Sequence, residues 1–434
     1  MERIFEYLKK QPPGRIIALG FASVILLGAL LLMLPVSVQE GHEVSPINAL
    51  FTSTSAVCVT GLVVVDTGDT FSLFGRWVVA MLIQIGGLGV ASVGATFILA
   101  AGKRVGMKGR KLIKESLNVD SYEGMVRLIH SILAITIVIE GLGAALSFIV
   151  FIQDYPFWKA VELSLFHSIA AFNNAGFDIF GGMQSMIPYR DDVLLNLTTC
   201  ALVFFGGLGF LVIVDIRRNC CFKKLTLHSK VVLTTSIALT VFGTLLLRAT
   251  EDITWLGAFF HSVIARTAGF CTYSMDEFTN AGLFILSLLM FIGASPGSTG
   301  GGIKTSTFFT LFLSVKTLLT KKAMGAFHRN VSQESLSKAY TITLLSVLVV
   351  CVGIFSLCIL EKDSAFMDIM FEVISAFGTV GLSVGMTPDL HCLSKLILIS
   401  IMFIGRIGAF TIISMWVSRP APTARYTEEN ITIG

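Results

Sequence analysis

The chain has 434 residues, 54% of them hydrophobic and 14% charged, with a mean hydropathy of +0.81. Soluble domains carry about 25% charged residues, so the composition excludes an ordinary water-soluble domain and points to the bilayer as the main solvent. The net charge of +4 is small and says less than its placement, no nucleic-acid partner is expected, and the 8 cysteines form neither CxxC nor Cys/His ligand spacing.

A helix needs about 20 apolar residues to cross the hydrocarbon core. The first apolar run, Ile16–Leu34, is that long and lacks a small-residue cleavage site, so it reads as a membrane helix and not a signal peptide. Seven more runs follow: Trp77–Ala101, Leu128–Phe151, Val193–Val214, Val231–Leu247, Leu283–Leu313, Tyr340–Leu360 and Leu396–Trp416. Between successive pairs lie shorter apolar pieces near Pro46–Ser55, Phe157–Ala171, Leu256–Ala265 and Phe366–Ala376, each ending in small and polar residues with a Gly. Segments too short to span are candidates for re-entrant half-helices. Cys200, Cys351 and Cys358 sit inside the apolar runs as small core residues.

Basic residues crowd alternate connections. Lys103, Arg104, Lys108, Arg110, Lys111 and Lys114 share one, Arg217, Arg218, Lys223 and Lys224 the next, and Lys316, Lys321, Lys322 and Arg329 a third. Arg3, Lys9, Lys10 and Arg15 precede the first span, whereas Asp66, Asp69, Asp191, Asp192, Glu251 and Asp252 mark the other side. The positive-inside rule makes the basic set, the connections at 102–124, 217–230 and 316–338, and both termini cytoplasmic in a multi-pass cell-membrane protein.

The short pieces are copies of one unit. LFTSTSAVCVTGL, LFHSIAAFNNAGF, FFHSVIARTAGF and MFEVISAFGTVGL align, with Phe51, Phe166, Phe260 and Phe371 preceding Gly61, Gly176, Gly269 and Gly381 by 10, 10, 9 and 10 residues. A second register follows in IQIGGLG, VFFGGLG, MFIGASPG and MFIGRIGA, whose Gly86, Gly206, Gly293 and Gly405 fall 25, 30, 24 and 24 residues after the loop glycines. Two registers repeated four times predict an all-α polytopic protein of span, pore helix, Gly-bearing loop and span, in fourfold pseudosymmetry around one ion pore. The repeats cover 1–101, 125–216, 225–315 and 335–418, with a cytoplasmic tail at 419–434.

Non-helical backbone at membrane depth must be buried in protein or line a watery path. Four loops around one axis would present rings of carbonyls that replace a cation's hydration shell. The ion-binding candidates are Val59, Thr60 and Gly61; Asn174, Ala175 and Gly176; Thr267, Ala268 and Gly269; and Thr379, Val380 and Gly381. The last of these triplets is close to the start of a potassium-channel filter. Small-residue helix packing is the alternative use of such glycines, and it is the expected one for Gly86, Gly206 and Gly405.

The fragments VCVTGL, FNNAGF, ARTAGF and GTVGLS resemble the four degenerate filters of the Trk/Ktr/HKT superfamily of potassium transporters, and the likeness runs from Ile16 to Gly434. The short N-terminal stretch and the ending from Tyr426 to Gly434 look like a Ktr-type membrane subunit. The resemblance implies K+ as the transported ion, Na+ as a candidate activator, no covalent cofactor, a homodimer in membrane lipid, and a cytosolic ring of nucleotide-binding RCK-type subunits. It also implies an intramembrane gating loop in the third repeat. Cys271 departs from the Asn that relatives often carry after the third filter's Gly-Phe.

That gating loop falls on Gly293–Thr305, where Gly297, Ser298, Thr299, Gly300, Gly301 and Gly302 precede Lys304. Ile303 separates Gly302 from Lys304, and no strand precedes, so this is not a phosphate-binding loop. Each Gly costs a helix about 1 kcal/mol and Pro about 3 relative to Ala, so the span must break here. Gating by the broken stretch and a bland hinge are the two readings. Arg406, a charge in mid-span, is expected to bind the carbonyls of this loop. Arg266 is expected to pair with Glu372 or Glu162, His167 and His261 to pack, and Glu140 to hydrogen-bond inside the bundle. No HExxH or GxSxG motif points to an enzyme. A secondary cation carrier coupled to sodium or protons is the rival function, though such carriers usually show two related halves.

Overall fold

The computed structural model describes residues 11–100, 106, 109, 110, 112, 114, 125–320 and 324–414. The basic residues at 3, 9, 10, 103, 104, 108, 111, 321 and 322, and the tail at 419–434, lie outside the described residues.

Helices come in fours. The first set is α1 (Pro13–Leu32), α2 (Pro46–Cys58), α3 (Leu73–Leu88) and α4 (Val90–Ala100). The second is α5 (Met125–Asp154), α6 (Phe157–Phe172), α7 (Val193–Leu208) and α8 (Phe210–Asn219). The third is α9 (Leu227–Thr250), α10 (Trp255–Ile264), α11 (Asn280–Phe291) and α12 (Thr305–Thr320). A hairpin of β1 (Gly325–Ala326) and β2 (Arg329–Asn330) precedes α13 (Gln333–Leu360), α14 (Phe366–Gly378), α15 (Cys392–Ile407) and α16 (Ala409–Ser414).

The first helix of each set, α1, α5, α9 and α13, is long and apolar enough to cross a membrane. Their outer faces carry exposed Leu26, Leu142, Phe242 and Leu348. Lipid tails are as apolar as these side chains, so nothing drives such faces inward. The second helix of each set is short and buried. The four aligned phenylalanines, Phe51, Phe166, Phe260 and Phe371, are at most 2% exposed and belong to one central core.

A third register joins these two helices. Ser53, Ser168 and Ser262 donate hydroxyl hydrogen bonds to the carbonyls of Ile25 (2.7 Å), Glu140 (2.6 Å) and Thr240 (2.7 Å) in the outer helices. Gly28, Gly143 and Gly243, one turn further along, leave room for those serines. The fourth set replaces the polar contact by an apolar one, Gly353 against Val373 and Ile401.

The inner helices differ from the expected continuous spans. Only the third was expected to break, yet all four do. Gly89, Gly209 and Gly408 end α3, α7 and α15 at φ of +82°, +90° and +94°, a region that L side chains rarely adopt. Each lies three residues beyond Gly86, Gly206 or Gly405, so it is the last glycine of the quoted GGLG and GRIG motifs that interrupts the helix. The α7–α8 pair bends by 96°. In the third set the interruption widens into the stretch between α11 and α12.

Candidate functional site

Each buried short helix hands its chain to a loop of one conformation. The residue two before each loop glycine has positive φ: Val59 (+59°), Asn174 (+59°), Thr267 (+107°) and Thr379 (+50°). The glycines follow at +91°, +67°, +68° and +95°. Ser55 and Ser375 hydroxyls accept from Gly61 N–H and Gly381 N–H at 3.1 Å, fixing the first and fourth loops to the helices before them.

The loops meet as a closed ring. A Cβ on Gly61 would strike the carbonyl oxygen of Ala175, one on Gly176 that of Ala268, one on Gly269 that of Val380, and one on Gly381 that of Thr60. Each glycine therefore abuts the middle residue of the next loop, in the order one, two, three, four and back to one. All four glycines line a single cavity of about 150 Å³, with Asp66 and Asp178 on its wall.

The outer rim is held by a strap that the longer second connection supplies. Asp66 and Asp69 carboxylates accept from Met183 N–H (2.6 Å) and Gly182 N–H (2.8 Å), while Cys271 N–H donates to Ser185 Oγ (3.1 Å) and Cys271 C=O accepts from Met186 N–H (3.0 Å). Burial pushes the Asp178 carboxyl up to about 7, Asp66 and Asp69 add to the rise, and Phe180 N–H opposes it.

At the opposite end of the ring lies the interrupted stretch of the third set. What binds it follows from the helix breaks. A helix that stops leaves its last carbonyls without partners. The orphan carbonyls of Gly206 and Gly207 in α7 accept from Thr299 N–H (3.3 Å) and Ser295 N–H (3.0 Å), and Phe210 N–H at the start of α8 donates to Gly297 C=O (3.0 Å). Arg406 donates to the carbonyls of Thr299 and of Gly86, with Gly87 at 3.4 Å. Its guanidinium thus joins the loop to the negative end of α3. Lys304 Nζ donates to Gly300 C=O (2.6 Å) and Gly301 C=O (3.3 Å), and Ser295 and Thr305 hydroxyls lie 2.9 Å apart. Gly301 N–H donates to Thr379 Oγ1 at 2.9 Å. Among the described residues the side chain of Ser298 has no hydrogen-bond partner, and Gly302 adopts φ +68°.

The ring and the broken stretch thus bring together every residue singled out for ion binding and gating. Gly86, Gly206 and Gly405 lie against the carbonyls of Val57, Phe172 and Phe377, so they serve close packing as expected. The pairing expected for Arg266 is corrected. Glu162 sits 3.1 Å from Arg76 and 3.3 Å from Lys159, and Glu372 accepts from the Thr387 hydroxyl. His167 bonds Thr199 Oγ1 at 2.8 Å and packs on Phe270, and His261 lies 3.0 Å from Gly257 C=O among aromatic rings. Glu140 accepts from Asn173 Nδ2 at 3.0 Å, which also donates to Gln84 Oε1 at 2.8 Å. The sequence reading missed Asp178, the rim strap and the serine register, although Ser53, Ser168 and Ser262 stand 8, 8 and 7 residues before the loop glycines.

The TrkH family model, described as cation transport protein, matches residues 16–247 and 223–424. The chain is 38% identical to the Ktr system potassium uptake protein B of Bacillus subtilis, over 100% of this chain and 99% of the relative. It is 38% identical to the potassium/sodium uptake protein NtpJ of Enterococcus hirae, covering 98% of each. It is 40% identical to the Ktr system potassium uptake protein B of Vibrio alginolyticus, over 97% of this chain and 94% of that one. The crystal structure of the potassium transporter TrkH from Vibrio parahaemolyticus shares the fold, with a TM-score of 0.72 at 19% identity over 93% of this chain and 84% of that one. A ring of four loops on a broken-helix scaffold, together with full-length matches of this strength, identifies the chain as a member of the TrkH cation transport family, a family of membrane transporters and not of enzymes.

Proposed function

We propose that this chain takes up K+ through a gated pore on the axis of the four-loop ring. The observation that carries the reading is the ring itself, with each loop glycine against the next loop's carbonyl and all four on one cavity. Carbonyls of Val59, Thr60 and Gly61, and of their counterparts in the other loops, replace the hydration shell. Relatives named as potassium uptake proteins support K+ as the ion, and the name potassium/sodium uptake protein supports Na+ as a second ion or activator.

The stretch Gly297–Gly302, with Lys304 and Arg406, is the gate. It touches the inner ends of loops three and four, while the cavity of Asp66 and Asp178 lies beyond the glycines. The four helix sets are the four repeats of the pore. Basic connections such as 217–230 face the cytoplasm, where a nucleotide-binding RCK-type ring docks on a homodimer and moves the broken helix. The name Ktr system, borne by the Bacillus subtilis and Vibrio alginolyticus relatives, fits a chain that works with other subunits.

Electrical recording of the purified chain in a planar bilayer tests the proposal. An ohmic current reversing at the K+ equilibrium potential is expected. A flux tied in fixed stoichiometry to Na+ or H+ would replace the pore by the coupled carrier.

A further inference from the structure

The broken stretch does not only lie beneath the ring; it is hydrogen-bonded to the side chain of one ring residue and packs against that of another. Gly301 N–H donates to Thr379 Oγ1 at 2.9 Å. A Cβ on Gly300 would strike Thr267 Oγ1, so the loop backbone rests directly on that hydroxyl. Thr267 in turn lies 2.8 Å from the Asn174 side chain, whose nitrogen, with its oxygen taking the Thr267 proton, reaches Phe172 and Val203 carbonyls at 3.2 Å. Loops two, three and four are thereby linked through side chains at the end that the broken stretch covers. The first loop places Val59 at the matching position and offers no hydroxyl there.

We infer that Thr379, with Thr267 beside it, is the receptor that latches the loop in its closed position, so that the gate is held by the filter itself. The inference rests on the gate reading. It assigns Thr379 a positioning role toward the loop in addition to any part in lining the ion path. Gly301 N–H is a buried donor, and without the Thr379 oxygen it would be left unpaired in a site closed to water. Leaving such a donor unpaired corresponds to a shift of about fivefold or more in an equilibrium. Closing the loop and occupying the inner end of the filter with a cation then compete for the same hydroxyl. Coupling of this kind is reciprocal.

The test uses the full chain in proteoliposomes without a cytosolic subunit, with 86Rb+ uptake as readout. Thr379→Val keeps the shape and removes the acceptor; Thr379→Ser keeps the acceptor. Each is compared in the intact chain and in a chain with a shortened Gly297–Gly302 run. Thr379→Val is expected to exceed Thr379→Ser in uptake by about fivefold or more in the intact chain, and the two are expected to converge once the run is shortened. Thr379→Val uptake that is equal to or below that of Thr379→Ser, or exceeds it by the same factor in both backgrounds, overturns the latch. A shortened run that fails to raise uptake by itself sinks the gate reading first, and the two failures are distinct. Should the shortened chain not fold, the rate at which a cytosolic thiol reagent modifies Ser298→Cys decides. Faster modification with Thr379→Val supports the latch, and an equal rate overturns it.

Discussion

Replacing Gly61 by Ser probes the ring where its geometry is tightest. Gly61 sits at φ +91°, and a Cβ there would strike the Ala175 carbonyl oxygen, with the Ala175 carbonyl carbon at 3.2 Å and Gly176 Cα at 3.3 Å. The backbone conformation alone costs a non-glycine residue about 1–3 kcal/mol. The collision adds to it and falls on backbone that cannot rotate away, so loop two must move. Since 1.4 kcal/mol is tenfold in an equilibrium constant, a loss of about tenfold in K+ over Na+ preference is expected. Gly41 supplies the control, because it has φ +88° and nothing within 4 Å of a Cβ. Gly41→Ser carries the conformational penalty without the collision and should leave preference at the wild-type value. Reversal potentials in mixed K+/Na+ gradients, on protein shown to be folded, measure both. A Gly61→Ser protein with wild-type reversal potentials would refute the reasoning.

Three further outcomes follow from other parts of the molecule. Arg406→Ala removes the donor that ties Thr299 to the end of α3; charge-assisted bonds of this kind support a rise in uptake of about tenfold or more, with K+ preference unchanged, and 86Rb+ uptake would show no rise if Arg406 were merely structural. Asp178 titrates at about 7, so its charge is present above that pH and lost below it; uptake at low K+ should fall as external pH drops from 8 to 6, by up to about tenfold, and Asp178→Asn should flatten that profile. Thiols introduced at the exposed Lys224 and Asp191 should react with impermeant reagent only from the cytoplasmic and the external side, respectively, and the reverse pattern would overturn the orientation.

Much of the ring was legible because the chain states it four times. Aromatic, small and glycine positions recur at fixed offsets, and the physics of backbone in a membrane leaves few uses for such loops. The broken stretch was legible for a different reason: a proline among five glycines from Gly293 to Thr305 cannot remain helical. The breaks at Gly89, Gly209 and Gly408 were not read, since one glycine after a helical apolar run is tolerated in a membrane helix and only its φ reveals the interruption. Arg266 misled because a charge search pairs it with any acid at a matching position, whereas Glu162 is already engaged by Arg76 and Lys159. The bonds from orphan carbonyls of α7 to the loop could not be read at all, because backbone groups have no sequence signature. The expectation that Arg406 meets the loop rested on its five donors and the need to satisfy them at depth. Its second set of acceptors, the carbonyls of Gly86 and Gly87, exists only because α3 stops there.

The central claim is that one cation path runs through the ring of Gly61, Gly176, Gly269 and Gly381. Soaking the purified protein in Tl+ or Rb+ and locating the ion by anomalous diffraction tests it without any assay of activity. The account predicts ion density on the axis of the ring, within reach of the carbonyls of all four loops and suppressed by competing K+ more than by Na+. Density that lies away from the ring, between the outer helices or at a site served by one loop alone, would contradict it.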